Sequence, residues 1–402
     1  MQTPLKPFRL QITAITLTRI VLNTAHRMVY PYLPVFGRGL GVDLPLLSNA
    51  VAARSFLGAA GPFLASVADS RGRKLGILLG LCLFTLGASL VLFWPTYPVF
   101  VFTLILTLFG KYVFDPSVLA YVGERIPYER RGSIIAITEF GWSLSFILGV
   151  PLMGLLIARN GWQGPFPLLT LLGLVCLGGL AWVLPRDPKP AENQPGIWRN
   201  LQAVLTSLPA LAGLTMGFLM STANEIVNLV FGVWMEDSFN LKIAALGAAS
   251  VVIGLSELGG EGLTAVLVDR LGKPRAVMLG LAMNCLAAFA LPLVGRSLLG
   301  ALAGLFFFYI SFEFTIVSSI PMMSEIVPSA RATMMSTSAA ALSLGRALGA
   351  LLATPLYALG FWGSCLAAVA FNVLALWALN QLRKGLVQKE LSANFYPRTD
   401  RL

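Results

Sequence analysis

Twelve mostly apolar stretches follow one another along the chain, at about residues 9–34, 45–68, 75–94, 97–122, 134–158, 165–184, 208–234, 243–268, 275–294, 298–326, 332–357 and 361–381. Each has roughly the 20 residues that a helix needs to cross a hydrocarbon core. None shows the two-residue alternation of a barrel wall, and in lipid a helix is the other arrangement that satisfies every backbone donor and acceptor. Only one polar gap is sustained: PRDPKPAENQPGIWRN, Pro185 to Asn200, whose prolines and charges cannot continue a helix. The expected fold is therefore an all-α membrane protein of 12 transmembrane helices. Its expected parts are a six-helix bundle over residues 1–184, a linker over 185–207, a second six-helix bundle over 208–384 and a tail over 385–402.

The two halves look like copies of one unit. ASVADSRGRKLG (Ala65 to Gly76) after span two matches AVLVDRLGKPRA (Ala265 to Ala276) after span eight, with Asp69/Asp269, Gly72/Gly272 and Arg73/Lys273 at an offset of 200. Independently, ERIPYERRG (Glu124 to Gly132) after span four matches EIVPSARAT (Glu325 to Thr333) after span ten at an offset of 201. A weaker echo joins Gly141, Ser145, Gly149 and Pro151 in span five to Gly345, Gly349, Ala353 and Pro355 in span eleven, small residues spaced so that helices approach closely. Parallel internal repeats explain all three.

Composition agrees, since a mean hydropathy of +0.78 leaves too little polar surface for a water-soluble globule. Four cysteines, Cys82, Cys176, Cys285 and Cys365, sit within apolar runs without metal-ligand spacing, so no metal or cofactor is expected. The net charge of +11 forms no continuous stripe with interleaved aromatics, which argues against nucleic acid. Its distribution reports topology instead: 20 Lys and Arg fall on the side of both termini and 4 on the other. By the positive-inside rule both termini are expected in the cytoplasm, with the chain in the cell's inner (plasma) membrane and its first span retained.

The loop after span two resembles the signature of the major facilitator superfamily of transporters, usually G-x-L-a-D-r-x-G-r-k. Ala65, Val67, Ala68, Asp69, Gly72, Arg73 and Lys74 occupy its positions, with Ala in place of the first Gly. The resemblance implies two bundles related by a pseudo-twofold repeat around a central cavity, a monomer, and rocker-switch alternating access for a small-molecule substrate. Asp69, Gly72, Arg73 and Lys74, with Asp269, Gly272 and Lys273 in the second copy, are the expected gate. Each Asp could pair across to the other bundle or accept from the free N–H groups of a facing helix N-terminus.

The cavity is sought among polar residues within spans, which are tolerated there at a cost of roughly 2.5 kcal/mol or more each. On span one Arg19, Asn23, His26 and Tyr30 share a face, flanked by Arg27; on span seven Ser221, Glu225 and Asn228 do the same. His26 and Glu225 lie at equal sequence distance from the starts of their spans, which predicts similar depth. The site could be a polar lock between bundles or a substrate and proton site. Lys111 and Asp115, four apart on span four, could neutralise each other. Arg54 and Arg346 could converge on an anionic group, provided Glu257 or Glu313 consumes neither. Glu139, Glu257 and Glu261 suit interbundle pairing or proton relay.

The leading expectation is a secondary transporter exporting a small amphipathic compound or metabolite in exchange for protons, in contact with lipid. The sequence is nearest in look to the drug and metabolite:proton antiporters. It departs from them in lacking an Arg on span four and in separating Gly149 from Pro151 by Val150. The alternative within transport is uptake or translocation of an anionic or lipid-like substrate, favoured by Arg19, Arg27, Arg54 and Arg346. A membrane enzyme is the remote alternative, since one histidine and no nucleotide loop offer no catalytic cluster.

Overall fold

The structure is a computed structural model in which residues 8–61, 72–126, 128–185 and 197–395 are described. Among these residues no strand forms. Spans three to twelve are long, apolar helices: Arg73–Phe93, Tyr97–Arg125, span five in two parts (Tyr128–Leu144 and Val150–Asn160), Pro165–Val183, Leu208–Phe239, Ile243–Leu271, Lys273–Val294, Leu298–Ile326, Arg331–Ala358 and Phe361–Phe395. All ten are long and apolar enough to cross a membrane. Span seven is central, with 83% of its most apolar window buried, whereas span six, at 28%, lies at the periphery.

Span one falls short of that apolar measure because it is polar and broken. Its first helix, Phe8–Arg27, ends partway through the span and a second, Leu33–Leu40, follows a turn. Pro31 explains the position of the break: it has no N–H for the Arg27 carbonyl, and its ring clashes with that carbonyl in a continued helix. The Tyr30 N–H turns to the Arg27 carbonyl at 3.3 Å instead of continuing the ladder to His26. Span two is described as Leu44–Gly58, started by Asp43, which accepts from the Leu46 N–H at 3.0 Å; its further course, with Asp69, lies outside the described residues.

Repetition extends to backbone detail. Gly72 and Gly272 both adopt positive φ, 104° and 80°, immediately before spans three and nine, where a side chain would be strained. Just beyond each, Arg73 Nε donates to Glu124 at 2.8 Å and Lys273 Nζ to Glu325 at 2.5 Å. The two sequence correspondences therefore meet in one ion pair per half. Likewise Gly141 lets span five approach Thr16 and Arg19 of span one, and Gly345 lets span eleven approach Phe218 and Ser221 of span seven.

Among the described residues the halves meet closely on the side away from the linker. Gly232 of span seven sits against the break in span one, where an added Cβ would lie 2.5 Å from the Pro31 carbonyl oxygen. Arg38 pairs with Glu236 at 2.7 Å, and the Ser48 and Thr354 hydroxyls bond across spans two and eleven. Gly254 of span eight approaches the Ser143 carbonyl of span five.

Candidate functional site

Between the halves lies a cavity of about 840 Å³, displaced toward the linker side. Spans one, four and five build one wall, and spans seven, eight, ten and eleven the other. Its surface is largely aromatic and aliphatic, from Phe140, Trp142, Phe146, Phe312, Ile316 and Leu342 among others. Six carboxylates (Asp115, Glu139, Glu225, Glu257, Glu261, Glu313) and four cations (Arg19, Arg27, Lys111, Arg346) reach it.

The first-half wall is internally paired. Arg19 donates to Glu139 at 2.6 and 3.1 Å and lies 3.3 Å from Asp115; Lys111 donates to Asp115 at 2.5 Å and to Asn23 at 2.6 Å. The i, i+4 spacing of Lys111 and Asp115 thus produces the local pair that the sequence suggested, and Arg19 enlarges it into a network. Asp115 is thereby shared between two cations.

Arg27, buried to 4% exposure, crosses to the second half and grips both oxygens of Glu257, one at 2.8 Å. It also donates to the Trp142 carbonyl at 3.0 Å and lies over the Trp142 and Phe146 rings at 4.1 and 3.6 Å. A fork of five donors on a flat cation suits this combination of carboxylate and ring faces better than lysine does. The π turn Ser145–Gly149, just beyond Trp142, departs from the regular helical ladder beside this contact.

The second-half wall is less satisfied. Glu225 is 1% exposed; one oxygen accepts from Asn228 at 3.3 Å and the other, Oε1, has no hydrogen-bond partner. Asn228 is in turn fixed by the Tyr309 hydroxyl at 2.8 Å. Glu261 accepts only a long bond, 3.4 Å, from Ser143, and Glu313 makes no hydrogen bond or ion pair among the described residues. Arg346 likewise makes neither, although Glu225, Glu313, Tyr30 and Tyr112 surround it. His26 packs edge-on to Tyr30 and tilted to Trp142, both with ring centres 6.3 Å away.

Arg54 does not project beside Arg346 as a second cavity cation. It is fully buried behind span one, donating to the Tyr30 hydroxyl at 3.0 Å and to the freed His26 carbonyl at 3.3 Å. The partner of Arg27 is Glu257 of span eight, so the polar faces of spans one and seven, expected at similar depth, divide into two neighbouring contacts. Register accounts for part of this. Thr16 over Gly141 and Phe218 over Gly345 set an offset of 202, which places Asn23 opposite Glu225 and His26 opposite Asn228. The expected equivalence is displaced by three residues, about 4.5 Å along the helix.

At the expected gate, Arg73 and Lys273 pair within their own halves, and Lys74 donates to the Ala181 and Leu184 carbonyls at the end of span six, both at 2.7 Å. Among the described residues Asp269 is exposed and makes no hydrogen bond or ion pair. Sequence reasoning also passed over Trp142, Tyr309 and Gly232. Pro31 signalled the last, because a broken helix leaves room for close backbone contact.

A multi-pass helical protein whose two halves enclose a largely apolar cavity reached by ten charged side chains has the architecture of a membrane transporter. Comparison identifies its kind: the Major Facilitator Superfamily profile matches residues 15–350, and the chain belongs to that family of secondary transporters. It is 24% identical over 372 residues to the uncharacterized MFS-type transporter YwfA of Bacillus subtilis, covering 90% of this chain and 89% of that protein. It is 24% identical over 319 residues to the multidrug resistance protein MdtG of Yersinia enterocolitica, covering 70% and 72%. A crystal structure of a bacterial homologue of the human lysosomal transporter Spinster, inward-facing and unoccupied, superposes with a TM-score of 0.76 at 15% identity, over 94% of this chain and 98% of that one.

Proposed function

We propose that this transporter exports small amphipathic compounds across the plasma membrane in exchange for protons, with Glu225 as the principal proton carrier. The observation that carries this reading is the excess of six carboxylates over four cations in an otherwise apolar cavity. Within it Glu225 is buried with an oxygen free to receive a proton. Asp115, held by Arg19 and Lys111, is a poorer carrier, because both of its oxygens are already engaged by cations of the same wall. Aromatic walls suit a flat, hydrophobic substrate body, and Glu261 and Glu313 suit a cationic group on it. Similarity to a multidrug resistance protein supports export. In this reading residues 1–184 and 208–384 rock as two units, both termini are cytoplasmic, and the cavity faces inward.

The test is flux in proteoliposomes with an imposed pH gradient, using ethidium as a cationic probe, a zwitterionic fluoroquinolone and a fluorescent anion of similar size. Gradient-driven movement of ethidium is expected. Movement of the anion alone would instead favour the second reading, an anionic substrate seated on Arg346, the cavity cation without a carboxylate partner among the described residues.

A further inference from the structure

A buried arginine normally meets a carboxylate. Arg54 is 1% exposed and has none among the described residues. Its charge is compensated instead by the C-terminal end of the first half-helix of span one. The break at Pro31 diverts the Tyr30 N–H to the Arg27 carbonyl, and the His26 carbonyl so released accepts from Arg54 Nη1 at 3.3 Å. A cation at a helix C-terminus is favourably placed against the helix dipole. Its second contact, Nη2 to the Tyr30 hydroxyl at 3.0 Å, fixes the phenol's hydrogen-bond polarity. A guanidinium can only donate, so the phenol oxygen accepts here and its single proton points elsewhere.

The neighbour available for that proton lies across the interface. Tyr30 and Glu225 line the same cavity and interact across it, and Glu225 Oε1 is buried with no hydrogen-bond partner. The other polar groups facing Glu225 are Asn228 on its own span, Arg346 on span eleven and Arg54 itself. Tyr309 of span ten acts on it through Asn228.

We infer that Arg54 and Tyr30 are positioning residues for Glu225: Arg54 turns the Tyr30 hydroxyl proton toward Oε1, so that the ionised carboxylate is tied to span one and the protonated one is released. The bond Tyr30 offers is charge-assisted when Glu225 is ionised and ordinary when it is protonated. Proton binding at one half thereby weakens a contact to the other at the break in span one, beside the close approach of Gly232 to Pro31. No covalent step is involved; the proton that arrives on Glu225 comes from the aqueous side to which the cavity is open.

This inference rests on Glu225 as proton carrier, and the test separates the two. The protein in lipid is titrated by infrared difference spectroscopy, and the protonated-carboxyl band absent in Glu225→Gln reports this group without any substrate. Tyr30→Phe keeps the ring and removes the donor, which favours the protonated carboxyl; the band's midpoint is expected to move about one pH unit upward. Arg54→Lys, which keeps the charge facing Glu225 but loses the fork that holds the Tyr30 hydroxyl, should move it in the same direction by less; should it fail to fold, Tyr30→Phe alone decides. An unchanged midpoint in Tyr30→Phe overturns the inference while leaving Glu225 as carrier. No band lost in Glu225→Gln overturns the carrier assignment, and the inference with it.

Discussion

The two walls of the cavity descend from one repeated unit yet differ in how their charges are settled. In the first half, Arg19, Lys111, Asp115 and Glu139 neutralise one another within a single network. In the second, Glu225, Glu261 and Glu313 lack an ion-pair partner among the described residues, and Glu257 takes its cation from the opposite wall. The devices that shape the backbone have stayed duplicated: the positive-φ glycines 72 and 272, the ion pairs behind them, and the glycines that bring span five to span one and span eleven to span seven. The two halves share the mechanics of the scaffold and differ in their cavity chemistry. The first wall resembles a finished structural element, and the second keeps groups that can still exchange a partner.

The largest effect is expected where the two walls join. Glu257→Ala leaves Arg27 buried without its carboxylate, a loss of about 3–5 kcal/mol for a pair of this kind. The expected outcome is reduced yield of monodisperse protein in detergent, whereas Glu261→Ala, on the same span but without an ion pair, purifies normally. Equal yields from the two would show that the Arg27–Glu257 contact contributes nothing particular.

Next in size is the backbone contact at the break. An alanine at Gly232 would place its Cβ 2.5 Å from the Pro31 oxygen and 2.8 Å from the Pro31 Cα, atoms that cannot rotate away. Gly232→Ala should open the far side, so that cysteines introduced at positions 38 and 236 crosslink several-fold less than in an otherwise wild-type background. Unchanged crosslinking would mean that span one yields without transmitting the strain.

The smallest effect belongs to the duplicated surface pairs. Arg73→Ala and Lys273→Ala remove partly exposed ion pairs worth about 0–1 kcal/mol, so both should leave the melting temperature within a few degrees of wild type. A large loss from Arg73 alone would break the symmetry that the duplicated pairs imply.

Much of this architecture is legible in the amino-acid sequence. Apolar length marks the spans, and the offsets of 200 and 201 pick out four residues that form equivalent ion pairs. The i, i+4 spacing of Lys111 and Asp115 anticipates their contact. What the sequence hides has specific causes. Arg27 and Glu257 are 230 residues apart, and neither position indicates which of several intramembrane carboxylates will face which arginine. Arg54 defeats a search for opposite charge because a helix end compensates it, and that end exists only because Pro31 interrupts a run whose apolar length otherwise reads as one continuous helix. The three-residue shift that sets Asn23 and not His26 opposite Glu225 follows from how spans five and eleven seat on their neighbours, which no count from loop boundaries resolves.

The central claim is that proton coupling resides in the second wall and not in the matching network of the first. Its most direct measurement is the collapse of an imposed pH gradient on addition of ethidium to proteoliposomes containing wild type, Glu225→Gln or Asp115→Asn, each first shown to be monodisperse. Ethidium should dissipate the gradient in wild type. It should fail to do so in Glu225→Gln, which still exchanges ethidium at equal pH, and Asp115→Asn should retain coupling at whatever transport rate it sustains. Coupling preserved in Glu225→Gln and abolished in Asp115→Asn would contradict the account and place the proton route in the first half.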